Sequence, residues 1–385
     1  MGLAGESSHR TVRKYGRRVQ NGAHSAPTSA QGNPPRGTVV RGAMKVLPGL
    51  ALAVGVAVIA TAISRFVPLV GSAVLGMVIG AVLSGVIRSA VLLRSGIGFA
   101  SRFVLQLSVV ILGTQLSVAQ AARVGLESLP VMIGTLAICL LAAWLLGRAL
   151  GVVGDLRTLV GVGTGICGAS AIAATAPVIG AVSTDVAYAI STIFLFNVTA
   201  VIVFPMIGHL LGMSQQAFGL FAGTAVNDTS SVVAASATYG PQAANHGVVV
   251  KLVRTLMIIP ITVGLAALVA RGRRAGPAET DAPEGFRPKP ARMSIGRVVR
   301  LVPWFLVGFV VMAFANSAGL IPAWVHPALS NVSMFLIATA LSAIGLSTDL
   351  GSLRRAGARP LLLGGLLWIT VTAASLGLQL ATGGL

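Results

Sequence analysis

A chain of 385 residues that is 55% hydrophobic and 10% charged, with a mean hydropathy of +0.88, falls far below the roughly 25% charge of soluble domains and reads as a polytopic membrane protein. Its net charge of +19 does not point to nucleic acid, because nearly all the basic residues fall in tails and short loops, where positive charge sets membrane orientation. The two cysteines, Cys139 and Cys167, sit in apolar stretches with no clustered Cys or His nearby. That argues against a disulfide framework and against a metal enzyme, and no cofactor is expected.

Residues 1–45 carry Arg10, Arg13, Lys14, Arg17, Arg18, Arg36, Arg41 and Lys45 among Ser, Gly and Pro, with no apolar core before residue 46. The stretch reads as a disordered cytoplasmic tail that anchors topology, not as a secretory signal. Apolar segments of spanning length follow at about 46–64, 68–87, 97–118, 128–149, 157–181, 185–211, 217–237, 246–270, 299–318, 327–348 and 360–383, eleven in all. They group as a membrane block at 46–270, a flexible cytoplasmic linker at 271–298 and a second membrane block at 299–385. With the N-terminus inside, 24 of the 28 Lys and Arg residues fall on the cytoplasmic side. Arg65 and Arg123 fall outside, and Lys251 and Arg254 lie within a segment. This asymmetry predicts a cytoplasmic N-terminus and an external C-terminus.

Two segments are broken by glycine and small polar residues. Gly161 to Ala174 reads G-V-G-T-G-I-C-G-A-S-A-I-A-A, and Gly223 to Ala235 reads G-T-A-V-N-D-T-S-S-V-V-A-A. Offset by 60 they echo each other, Gly163 with Gly223, Thr164 with Thr224, Ser170 with Ser230 and Ala174 with Ala234. Such breaks survive at membrane depth only inside protein or beside water, and paired breaks mark transport sites. A helix starting in the first break presents free backbone N–H groups to an anion. Gly165, Cys167, Gly168, Ala169 and Ser170 are small enough to let a ligand reach that backbone. Close helix packing through Gly161 and Gly165 is the plain alternative. The glycine pattern Gly163, Gly165, Gly168 lacks the strand and the acid of a dinucleotide site.

In the second break the candidate lining is Asn227, Thr229, Ser230 and Ser231 around Asp228, the only carboxylate inside an apolar stretch. Asp228 is a candidate carrier of a coupling ion, a fixed counter-ion or half of a structural ion pair. Lys251 and Arg254 lie three apart on one helix face and are its expected partners. They are also the expected ligands of an anion, with snorkelling to the outer interface as the alternative. One acid against two bases favours an anionic substrate. Asn197, Thr192 and Thr199 fit helix–helix hydrogen bonds as well as they fit a site. Gln115 is equally ambiguous, and His246 fits a solvated helix end.

A second echo, at offset 232, pairs Ser101 with Ser333, Phe103 with Phe335, Gly113 with Gly345, Arg123 with Arg355 and Gly125 with Gly357. Its segments are seven apart and cross in opposite senses, as an inverted repeat requires. The two broken segments are only two apart, so they run parallel unless one is re-entrant.

The runs G-I-C-G-A-S-A-I-A-A-T-A-P-V-I (Gly165 to Ile179), F-N at 196–197, F-P-M-I-G at 204–208, N-D-T-S-S-V-V-A-A at 227–235 and V-V-V-K-L-V-R at 248–254 resemble the YeiH-like family. These are bacterial inner-membrane proteins labelled as sulfate exporters. The resemblance spans roughly residues 45 to 385, and the basic tail lies outside it. It implies an all-α polytopic membrane protein of about 11 transmembrane helices, with inverted repeats and two discontinuous helices. That architecture is similar to the bile-acid symporter and Na+/H+ antiporter folds. Family members often carry histidine where Asn227 stands, so a His–Asp proton relay does not carry over.

The function expected is secondary transport of a small oxyanion, sulfate or a related sulfur oxyanion, by alternating access with H+ or Na+ coupling. A Na+-coupled organic anion symporter and a passive anion channel are the alternatives. The expected partners are the bilayer and a small anion, with self-association left open. An enzyme using Cys167 or Ser170 as nucleophile is not expected, since no general base lies near in sequence.

Overall fold

The computed structural model describes residues 37–66, 71–87, 91–152, 154–275, 303–347 and 358–383. Most of the expected tail and linker, with Arg355 and Gly357 of the second echo, lies outside the described residues. Residues 1–43 and 44–385 form two units. The described part of the first is the opening of helix α1.

Every described regular element is a helix. The first group is α1 (Gly37–Ser64), α2 (Ser72–Ile87) and α3 (Val91–Phe99), which runs through a π turn (Ala100–Val104) into α4 (Leu105–Leu112), and then α5 (Val118–Ala149). The second is α6 (Gly154–Gly165), α7 (Ala169–Ile179), α8 (Ser183–Leu210), α9 (Gln215–Ala225), α10 (Thr229–Tyr239), α11 (Pro241–Leu256) and α12 (Ile258–Ala275). The third is α13 (Trp304–Ser317), α14 (His326–Ser347) and α15 (Ala358–Ala381). Among the described residues, 7 stretches are long and apolar enough to cross a bilayer: Lys45–Ser64, Leu92–Gln115, Val118–Ala149, Ser183–Leu210, Pro241–Val269, Ala323–Ser347 and Ala358–Ala381.

Lipid is as apolar as leucine, so membrane helices gain by close packing through small residues. Gly49 of α1 and Gly96 of α3 each lie against the other helix's backbone, leaving no room for a Cβ. Gly80 of α2 lies against the backbone of Ser342 and Gly345 of α14 in the same way, and Gly76 against the Ser342 hydroxyl. Gly113, just after α4, abuts the Phe309 carbonyl of α13, while Gly345 abuts the Met77 carbonyl of α2. Gly113 and Gly345 are 232 positions apart, and so are Met77 and Phe309. The second echo of the sequence is thus a reciprocal contact in the fold.

The segments expected to cross at 157–181 and 217–237 are hairpins of two short arms, α6–α7 and α9–α10. The ends of the second hairpin lie together. Gln215 Oε1, at the start of α9, accepts from the backbone N–H of Gln242 at 2.9 Å and of Ala243 at 3.3 Å. The Tyr239 hydroxyl, at the end of α10, donates to the Met213 carbonyl at 2.5 Å. At the mouth of the first hairpin, partial burial and then the Asp185 carboxylate hold the Asp155 carboxyl above its usual pKa. Leu159 and Val160 of α6, Ile172 and Ala176 of α7 and Ala189 and Ile193 of α8 share one buried cluster, so both arms pack beside the first half of α8.

The arms have 12, 11, 11 and 11 residues. At 1.5 Å per residue each is about 17 Å long, roughly half of the ~30 Å hydrocarbon core. Hairpins with their mouths at the membrane surface would therefore place their tips at mid-depth. This corrects the expectation of eleven crossings, because two of the eleven segments turn back. It also answers the orientation conflict. The chain crosses once between the hairpins, through the 28 residues of α8, so the two hairpins enter from opposite sides.

Candidate functional site: the meeting of two hairpin tips

The first tip turns on glycine. α6 ends at Gly165, and Gly168 takes φ 68°, ψ −132°, a conformation open to glycine and strained for any other residue. Its N–H closes the end of α6 by donating to the Gly163 carbonyl at 2.9 Å. The second tip has no glycine at its turn and goes round through extended backbone instead, with Val226 at φ −81°, ψ 136° and Asp228 at φ −100°, ψ 146°. Asn197, on α8, holds it: Oδ1 accepts the backbone N–H of both Asn227 and Asp228 at 3.2 Å. Asp228 then caps α10, accepting from the Ser230 N–H at 3.1 Å and from the Ser230 hydroxyl. A Cβ added to Gly168 would lie 3.2 Å from the Asp228 Cβ, so the tips touch.

The first echo survives in detail. α6 and α9 end at Gly165 and Ala225, α7 and α10 run Ala169–Ile179 and Thr229–Tyr239, and the next residues are Gly180 and Gly240. Each pair is 60 positions apart.

Behind the tips lie the two cations of α11, both 0% exposed. Lys251 Nζ donates to the Ile166 carbonyl at 2.7 Å and to the Val226 carbonyl at 2.8 Å, residues again 60 apart. Arg254 Nε donates to the Gly165 carbonyl at 2.7 Å and Nη1 to the Thr224 carbonyl. These oxygens belong to the last turns of α6 and α9, or to the residues just beyond. They have no intrahelical donor and carry the negative end of the helix dipole. Left bare at mid-depth each would cost several kcal/mol. The snorkelling alternative does not hold for side chains this buried. The donors expected to pair with Asp228 go to backbone, and Asp228 bonds Ser230.

The opposite face is open. Ala169 and Ser170 are exposed and Asp228, Thr229 and Ser230 are half-buried, whereas Gly165, Cys167, Gly168, Asn227 and Ser231 are buried. The Ser170 hydroxyl donates to the Cys167 carbonyl at 2.8 Å and lies 3.1 Å from its sulfur. The predicted residues therefore form two layers, with accessible first turns of α7 and α10 in front and cation-capped helix ends behind. Arg254 Nη2 and Asn227 Oδ1 are buried with no hydrogen-bond partner among the described residues. No described group of three His, Cys, Asp or Glu residues could hold a metal ion.

Asn197, which holds the second tip, is the residue that the sequence left ambiguous between a helix–helix hydrogen bond and a site. Its signals were an amide in an apolar segment, beside Thr192 and Thr199, and the F-N run at 196–197. Thr199 merely bonds the Leu195 carbonyl of its own helix.

Seven helices long and apolar enough to span among the described residues, around two hairpin tips that meet over a pair of buried cations, define a multi-pass membrane protein. The chain belongs to the family described as Conserved hypothetical protein 698, which it matches over residues 48–364. It is 40% identical over 344 residues to a UPF0324 membrane protein of Streptococcus pyogenes serotype M6, covering 88% of this chain and 98% of that one. It is 37% identical over 353 residues to one from Fusobacterium nucleatum, covering 86% and 97%, and 37% identical over 337 residues to one from Clostridium tetani, covering 87% and 97%. The resemblance to the YeiH-like family fits these matches. No solved structure matches the chain.

Proposed function

We propose that the protein is a secondary active transporter of a small oxyanion, sulfate or a related sulfur oxyanion, exporting it by alternating access across the bacterial inner membrane. It is not an enzyme in this reading. The observation that carries the reading is the convergence of two helix N-termini, α7 and α10, on one accessible point at mid-depth. First-turn N–H groups have no intrahelical acceptor, and with the helix dipole they favour an anion; on α10 the Asp228 carboxylate already takes the Ser230 N–H. Ser170, Thr229 and Ser230 add hydroxyls there, and the Lys251 and Arg254 charges outweigh Asp228. The paired hairpins and the reciprocal Gly113–Phe309 and Gly345–Met77 contacts support two inverted repeats, around which one bundle rocks against the other.

The test is counterflow of labelled sulfate, thiosulfate and sulfite in proteoliposomes, with the melting temperature followed in the same anions. One sulfur oxyanion is expected to exchange across the membrane and to raise the melting temperature with concentration. No exchange above empty vesicles for any of the three would remove the substrate class. Single-channel currents would replace the transporter with a channel.

A further inference from the structure

We infer that Lys251 is a built-in cation: its ammonium fills, at the meeting of the hairpin tips, a position that would otherwise take a small monovalent cation such as Na+. Unwound carbonyls and helix C-terminal ends are the groups with which broken-helix transporters hold Na+. Here those groups converge on Nζ. One carbonyl comes from each tip, at 2.7 Å and 2.8 Å, from residues 60 apart in the sequence echo. The side chain is wholly buried, so its charge is not there for solvation. Both acceptors carry the negative end of a helix dipole, which favours the charged amine. Arg254 covers the Gly165 and Thr224 carbonyls one or two residues earlier in each tip. Four tip carbonyls, those of Gly165, Ile166, Thr224 and Val226, are therefore bonded to charge supplied by α11. If the transporter reading holds, Na+ has no place at this point, and coupling falls to Asp228 on the open face. The cation claim itself rests only on the geometry.

The experiment is chemical rescue of stability. Lys251→Ala removes the ammonium and three methylenes and leaves the carbonyls of Ile166 and Val226 bare. The purified variant is expected to melt below wild type. Ammonium, methylammonium, propylammonium or sodium chloride is expected to recover half or more of the loss, rising with concentration. Tetramethylammonium chloride at the same ionic strength, with no N–H and too much bulk, is expected to recover none. The wild type is expected to respond to none of these cations specifically.

Equal recovery by tetramethylammonium, or no recovery by any cation, would overturn the inference. Should Lys251→Ala not fold, Lys251→Met keeps the stem and removes the ammonium: it is expected to melt below wild type, and a wild-type melting temperature would mean that no cation is needed at this point and would overturn the proposal. Rescue of Lys251→Ala with no anion stabilising wild type would sink the oxyanion reading while leaving this one standing. Anion stabilisation without rescue would do the reverse.

Discussion

Gly168 and Asp228, the N-terminal caps of α7 and α10 and 60 positions apart, touch at the centre of the fold. A Cβ at position 168 would sit 3.2 Å from the Asp228 Cβ and 3.4 Å from its Cα. Two independent constraints thus fall on one residue, a φ of 68° and a contact with no slack. Gly168→Ala is expected to cost about 1–3 kcal/mol through backbone strain and to push the tips apart. A melting curve, with labelling of a cysteine at Ser230, would check it. An unchanged curve and unchanged labelling would mean that the tips are not in contact.

Asn197 gives a second prediction with opposite outcomes for two substitutions. Asn197→Ala leaves the N–H groups of Asn227 and Asp228 without an acceptor inside the protein, at about 1–3 kcal/mol each. Asn197→Asp keeps an acceptor in place and is expected to stay closer to wild type in melting temperature. Equal losses for the two would show that packing, not acceptance of the two N–H groups, is what position 197 contributes.

Arg254 reaches the Gly165 carbonyl with Nε and the Thr224 carbonyl with Nη1, a fork that a lysine cannot reproduce. Arg254→Lys keeps the charge and loses at least one charged hydrogen bond, about 1.5–3 kcal/mol. The check is whether its melting temperature falls well below wild type despite the conserved charge. A wild-type value would mean that charge alone suffices behind the tips.

Re-entrance is testable by side-specific labelling of single cysteines on a Cys139→Ala, Cys167→Ala background. Cysteines at Asp155 and Thr184 are expected to label from one face of the membrane. Those at Gln216 and Gln242 are expected to label from the other. If the two members of either pair labelled from opposite faces, that hairpin would be a crossing helix.

The mouth of the first hairpin supplies a pH prediction. The Asp155 pKa is raised, first by burial and then by Asp185, so the folded state binds the proton more tightly than the unfolded chain. Stability from this group is therefore gained as pH falls through the raised pKa and lost as pH rises through it. Asp155→Asn is expected to stabilise the protein at neutral pH by less than about 1 kcal/mol, because the group is only partly buried and solvent screens it. The gain should vanish in acid, where wild-type Asp155 is protonated. A gain that persisted in acid would point to a cause other than ionisation.

Much of the site was legible before any coordinates. Gly165 to Ser170 and Asn227 to Ser231 stand out because a polar interruption of a lipid-length apolar run is costly unless protein or water surrounds it. Lys251 and Arg254 stand out because buried charge is costly. Their partners were not legible. They bind the carbonyls of Gly165, Ile166, Thr224 and Val226, and every residue type has a carbonyl. Asn197 was visible as one amide among several polar residues and in the F-N run at 196–197.

The sequence by itself determined the membrane class, the position of both breaks and their 60-residue echo. Lipid imposes these through composition, by requiring long apolar runs and by making each interruption costly. Only the tertiary structure decided that the broken segments turn back. An apolar run of 25 residues is chemically the same whether it spans or folds in two, and only the meeting of Gln215 with Gln242, or the packing of Leu159 with Ile172, Ala176 and Ala189 in one core cluster, distinguishes the cases. It also decided that the two cations cap helix ends behind the tips while Ser170, Asp228 and Ser230 face the open side. That depends on which way side chains point at a junction of four chain segments, and no local pattern records it.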